Sequence, residues 1–175
     1  MFFDEFGFSF QEPLGRTWAL TGRRPRVRRV TRERRGLSTA VGLTWSGKIY
    51  KRHFNGGMDS ADAIKALQHL QRHIAGRFIL IWDRARIHTS HKTQAYLAQH
   101  PAIIVEWLPP YAPELNPEEF CHGNVKQRLK NATPASVTEI RQRVNGGFAR
   151  LRHRPDLLLS FIHAAGLSVR QLWLV

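Results

Sequence analysis

Cysteine is nearly absent: Cys121 stands alone among 175 residues, which excludes an intramolecular disulfide framework. Acidic residues are scarce, 13 Asp and Glu against 27 Lys and Arg. The resulting net charge of +14 points to a polyanionic partner, most often nucleic acid. Long apolar runs are missing. The longest strongly apolar stretch, Phe78-Ile79-Leu80-Ile81-Trp82, is far too short to span a membrane. No secretory signal is visible either, because Asp4 and Glu5 sit where a basic region should be. Hydrophobic residues nevertheless make up 42% of the chain, which supports a real core and excludes disorder as the main state. The reading is a cytoplasmic globular protein that faces nucleic acid, with no membrane partner.

The positive charge is concentrated. Arg16 to Arg35 contains nine arginines and one acid, Glu33, broken by Gly22 and Pro25. Like charges at this density repel unless a counter-charge is supplied. Arg23, Arg24, Arg26, Arg28, Arg29, Arg32, Arg34 and Arg35 are therefore candidate DNA-binding residues, each offering a planar fork of donors to phosphate. The alternative is a solvated connection in a chain that prefers Arg to Lys. Trp18 and Trp45 flank the run, and packing into the core is the better expectation for both than base stacking.

Phe6, Phe8 and Phe10 alternate, as do Thr39, Val41, Leu43 and Trp45, which is strand periodicity. Ser46-Gly47 then turns into a second run, 48–54, to make a hairpin. Asp59 or Ser60 can cap a helix reaching about residue 75, with Gly76 ending it. The run 77–83 reads as a strand buried on both sides. A helix through about Gln99, a strand over 103–108, a Pro-rich stretch and a helix to about Lys130 follow. Thr133-Pro134 reads as a further helix start. This order predicts an α/β fold, a mixed sheet of about five strands with flanking helices and a C-terminal helical extension. The expected division is a core over 1–131 and an extension over 132–175 packed on it.

In so basic a chain the placement of each acid carries information. Asp83 closes the buried strand, at the carboxyl end where ligand chemistry gathers in open sheets; a turn or helix cap would also explain it. Asp4 lies in a phenylalanine-rich strand, where a solubilising edge residue is the alternative. Glu5 would point to the opposite face and is the weaker ligand. Asn116-Pro117-Glu118-Glu119 fits a capped helix start, so Glu119 could simply close a capping box. Glu114 and Glu118 compete with it. Carboxylates gathered from separate segments repel unless a hard divalent ion such as Mg²⁺ or Mn²⁺ joins them. Two such ions can clamp the attacking and leaving oxygens of a phosphodiester.

Three strings carry a resemblance. Phe3-Asp4-Glu5-Phe6-Gly7-Phe8, then Trp82-Asp83-Arg84-Ala85-Arg86-Ile87-His88, then Leu108-Pro109-Pro110-Tyr111-Ala112-Pro113-Glu114-Leu115-Asn116-Pro117-Glu118-Glu119 resemble the three acidic motifs of DDE transposases. The match is to the mariner-like superfamily and its bacterial insertion-sequence branch. Positions 83 and 119 enclose 35 residues, since 119 − 83 = 36, which also suits that family. The resemblance spans roughly residues 2–130. It implies a ribonuclease H-like core with Asp4, Asp83 and Glu119 as catalytic metal ligands for two Mg²⁺ or Mn²⁺ ions. It also implies cleavage and strand transfer of DNA at transposon ends and targets, by a protein of the bacterial cytoplasm, nucleoid-associated when bound.

Arg84 stands where the family often has Asn, and His122 where an aromatic is common. His88 matches the motif histidine, with a positioning role or an exposed helix-start position as alternatives; a zinc pair with His91 lacks further ligands. The helix-turn-helix region that precedes such cores has no counterpart ahead of Asp4. An upstream-frame helix-turn-helix protein or full-length transposase is accordingly an expected partner, beside a homodimer. A catalytically idle DNA-binding remnant is the competing reading.

Overall fold

The computed structural model describes residues 1–10, 14–23, 25–26 and 36–168. Strand β1 (Phe2–Phe8) pairs antiparallel with β2 (Leu37–Leu43), which pairs antiparallel with β3 (Ile49–Asn55). On the other side β1 runs parallel to β4 (Phe78–Trp82), and β4 parallel to β5 (Ile103–Trp107). The order β3-β2-β1-β4-β5 is the mixed five-stranded, ribonuclease H-like sheet expected from the element order. Helices α1 (Ser60–His73), α2 (Arg86–Thr89) and α3 (His91–Gln99) precede β5; α4 (Pro117–Leu129), α5 (Val137–Arg152) and α6 (Pro155–Ala164) follow it.

Period-two alternation divides the core between the faces of the sheet. Phe6, Phe8, Val41 and Leu43 meet Val125, Val144, Phe148, Leu158 and Ile162 of α4, α5 and α6. Phe3, Ala40, Leu80 and Trp82 meet Ala63, Leu67 and Leu70 of α1 on the other face. Each fully buried side chain of this size is worth roughly 1.5–3 kcal/mol of transfer free energy. Because α5 and α6 share one apolar cluster with the central strands, residues after 131 are packed into the same core.

Several expectations are corrected. The run 77–83 is not buried on both sides: Ile79 is 50% exposed. The chain beside β4 begins at Met1, whose amino group donates to the Ile79 carbonyl, so the start of β4 extends past its neighbour. The helix expected after Asp83 is broken at Ser90, whose hydroxyl accepts from Thr93 N and restarts the chain as α3. The later helix begins at Val137, not at Thr133-Pro134. Ser136 Oγ accepts from Glu139 N, and Glu139 Oε2 accepts from Ala135 N; this reciprocal cap outweighs the Thr-Pro signal. Trp18 is 99% exposed and packs into no core, because the segment around it is exposed throughout. Trp45 also stays outside both core clusters, 39% exposed, and only meets Phe2 edge-to-face at 5.5 Å.

Candidate active site

The register places Asp4 beyond the end of β4, level with Asp83: Phe2 lies opposite Ile81 in parallel, and both chains advance two residues. Asp4, Asp83 and Glu119 then line one cavity of about 430 Å³, together with Asn116 and the Leu108–Pro113 stretch. Three segments distant in sequence thus bring the three motif acids to one space. Asn116 fixes the third: its Oδ1 accepts from Glu118 N as the cap of α4. Glu119 does not close a capping box. Its Oε2 lies 2.7 Å from His122 Nε2, one helical turn on.

Two buried histidines connect the acids. His88 Nδ1 is 2.5 Å from Asp83 Oδ1, and its Nε2 is 2.8 Å from Glu5 Oε2. The ring is stacked on Trp82, 3.8 Å between centroids. Burial pulls the His88 pKa down, but its contacts with Asp83 and Glu5 outweigh that and carry it to about 9. The same bond from His88 holds Asp83 below the usual carboxylate range against partial burial. His88 is therefore no exposed helix-start residue. Glu5, on the opposite face from Asp4 as alternation requires, is part of this arrangement without facing the cavity.

On the other face His122 Nδ1 is 3.0 Å from Glu118 Oε2 and 3.7 Å from Asp4 Oδ2. Burial lowers the His122 pKa; Glu118, Glu119 and Asp4 together raise it to about 9. Burial and the charges of Glu118 and Glu119 push Asp4 up to about 9. Burial likewise raises the fully enclosed Glu118 to about 7. The His122 bond keeps Glu119 low. Ligand atoms of Asp4, Glu119 and His122 all lie within 4.8 Å of one another; Asp83 is turned toward His88 instead. This donor set suits a hard divalent cation: the oxygens are carboxylate, and a positive charge among them would reverse the repulsion that raises Asp4.

Glu118 and His122 were not singled out as site residues from the sequence. Their i,i+4 spacing on a helix, with Glu119 at i+3 from His122, was the available signal. Glu5 carried only its alternation. Glu114 is exposed on the 3₁₀ turn Pro113–Leu115, away from these contacts. Arg84 lies over Trp107, 5.8 Å from its ring. Of the arginine run, Arg23 and Arg26 are exposed; Arg24, Arg28, Arg29, Arg32, Arg34 and Arg35 lie outside the described residues.

A ribonuclease H-like sheet with an acid-lined cavity beyond β4 defines the class of protein. The profile of the DDE superfamily endonucleases matches residues 1–141, and the chain belongs to that family. Solved structures agree on the fold. A Mos1 transposase paired-end complex with left transposon end is 18% identical at a TM-score of 0.64, covering 98% of this chain and 55% of that one. A mariner Mos1 paired-end complex with Mg is 20% identical at 0.63, covering 97% and 56%. The catalytic domain of Mos1 mariner transposase is 17% identical at 0.58, covering 97% and 83%. The chain thus spans about half the length of the transposases in those complexes. No curated protein sequence matches it. Among the described residues, no helix is long and apolar enough to cross a membrane.

Proposed function

We propose that this chain is the catalytic portion of an insertion-sequence transposase, carrying out metal-dependent cleavage and strand transfer of DNA. One observation carries the reading: Asp4, Asp83 and Glu119, from three separate segments, line a single cavity. Family membership and the transposon-end and Mg complexes of Mos1 support it. Asp4, Asp83 and Glu119 would hold two Mg²⁺ or Mn²⁺ ions. Such ions supply Lewis-acid stabilisation to the attacking and leaving oxygens of a phosphodiester.

The protein's own contribution is orientation. His88, backed by Glu5, holds the Asp83 carboxylate. Asn116 fixes the start of α4 and hence the position of Glu119. His122 sets the Glu119 oxygens and offsets the negative charge crowded around Asp4. Prolines 109, 110 and 113 stiffen the cavity wall. Residues 1–131 form the catalytic core in this reading, and 132–175 a helical extension packed on it. The partners are transposon-end and target DNA, a second copy of the chain, and an upstream-frame helix-turn-helix protein or full-length transposase that supplies base readout. The arginine run follows phosphates, and the setting is the bacterial cytoplasm, at the nucleoid when DNA is bound.

The test is nicking of duplex DNA in Mg²⁺ or Mn²⁺ by wild type, Asp4→Asn, Asp83→Asn and Glu119→Gln. Each variant is expected to remain folded and lose nicking. Nicking by Asp83→Asn at the wild-type rate overturns the site.

A further inference from the structure

A second concentration of charge lies along the seam between β3 and α5, outside the acidic cavity. Alternation puts Lys51 and His53 on the face of β3 that α5 covers. On α5, Arg141, Asn145 and Arg152 recur at i, i+4 and i+11, which is one helix face. The two elements meet rung by rung. Arg141 Nη2 donates to Asn55 Oδ1 at 3.1 Å, and Arg152 Nη2 donates to the Ile49 carbonyl at 2.7 Å. Between them, Lys51 Nζ and His53 Nε2 both contact Asn145 Oδ1, the latter at 2.9 Å.

Every one of these acceptors is neutral. Three cations nearby or on the same helix and its successor do have acidic partners: Lys65 with Asp62, Arg143 with Glu139, Arg154 with Asp156. Among the described residues no ion pair includes Lys51, Arg141 or Arg152. The crowding is felt: burial lowers the Lys51 pKa and the charge of Arg152 lowers it further. Arg141 and Arg152 are exposed, and a guanidinium carries five donors, so most of theirs remain directed to solvent. Like charges held together with only neutral partners repel, and an external anion relieves that repulsion.

We propose that the β3–α5 seam is a binding site for the phosphodiester backbone of DNA, separate from the acidic cavity, with Lys51, Arg141 and Arg152 each neutralising a phosphate. From 141 to 152 the helix advances about 16 Å at 1.5 Å per residue. At 3.4 Å per phosphate along one strand, about five phosphates span the seam. The choice of DNA among polyanions rests on the proposed function and on position. Asp4 lies opposite Val41, and Val41 opposite Lys51, so both polar side chains share one rung and one face, about 10 Å apart across two strand spacings.

The test is binding of the full chain to a duplex of about 30 base pairs in EDTA, with the slope of log K against log salt as readout. Changing Lys51, Arg141 and Arg152 together to Gln is expected to flatten the slope by about 2.7, or 0.9 per phosphate. Arg143→Gln with Arg154→Gln, which removes cations already paired with Glu139 and Asp156, is expected to leave it in place. Arg141→Gln alone, at an exposed position, is expected to flatten it by about 0.9 with an unchanged melting temperature, which covers the case of a triple variant that fails to fold. An unchanged slope in the folded seam variants, or equal flattening by the control pair, overturns the proposal. Because EDTA removes metal chemistry from the measurement, loss of the catalytic reading would leave this result standing.

Discussion

Glu5 and His88 meet across the sheet: Glu5 Oε2 lies 2.8 Å from His88 Nε2, while the other nitrogen of the ring holds Asp83 at 2.5 Å. The strand that delivers Asp4 to one face therefore delivers, from the next residue, the support for Asp83 on the other. With Asp83 a ligand as proposed, a carboxylate oriented by a buried histidine that is itself anchored by a carboxylate has the layout of a metal-site support shell.

Glu5→Gln should therefore raise the Mg²⁺ concentration needed for half-maximal nicking by about 10- to 100-fold, the range expected for loss of such a support. The rate at saturating Mg²⁺ should change far less, since Asp83 itself remains. Titration of nicking against Mg²⁺ separates the two effects. An unmoved midpoint would mean that the contact only packs.

Divalent metal should stabilise the folded chain. Asp4 is surrounded by Glu118 and Glu119, and their charges add to the burial that raises it. A cation bound only by the folded cluster shifts the equilibrium by mass action, about 2.7 kcal/mol at 100 times its dissociation constant. A thermal scan with Mg²⁺ should show a rising melting temperature in wild type and little rise in Asp4→Asn. Equal shifts in both would place the ion elsewhere.

The strands and the β2–β3 hairpin were legible because their signals are local and strong: alternating phenylalanines in β1, the Thr39–Trp45 alternation, and the apolar run closed by Asp83. That Asp4, Asp83 and Glu119 share one cavity was legible through their motif strings. The bridging histidines were not, because their significance depends on register. Only when Phe2 lies opposite Ile81 does Glu5 reach His88, and no spacing in the chain states that register. Trp18 was misread because an aromatic beside a basic run carries the same signal whether it packs or stands in solvent.

Ser136 decides where α5 begins, and it does so against the Thr133-Pro134 signal. Ser136→Ala should cost about 1 kcal/mol, typical of a lost side-chain cap. Thr133→Ala should be close to neutral. Urea unfolding of the two variants checks this, and the reverse ranking would place the functional helix start at Pro134.

Neighbouring glycines in α5 should respond to the same substitution with opposite signs. Gly146 is exposed, and a Cβ there would meet nothing within 4 Å. Gly146→Ala removes a flexible residue from a helix interior and should stabilise by roughly 0.5–1 kcal/mol. Gly147 is buried where α5 crosses α4, and its added Cβ would lie 2.8 Å from Val125 Cγ1 and 3.1 Å from Cγ2. Val125 is itself buried and β-branched, with little rotamer freedom to withdraw. The helices would have to separate, so Gly147→Ala should destabilise by about 1–3 kcal/mol, the usual cost of overpacking, less the same helix-propensity gain. At this chain length each kcal/mol moves the melting temperature by about 2–4 °C, so a thermal scan should place the two variants on either side of wild type. If both rise, α5 does not lie as close to α4 as the Gly147–Val125 contact requires.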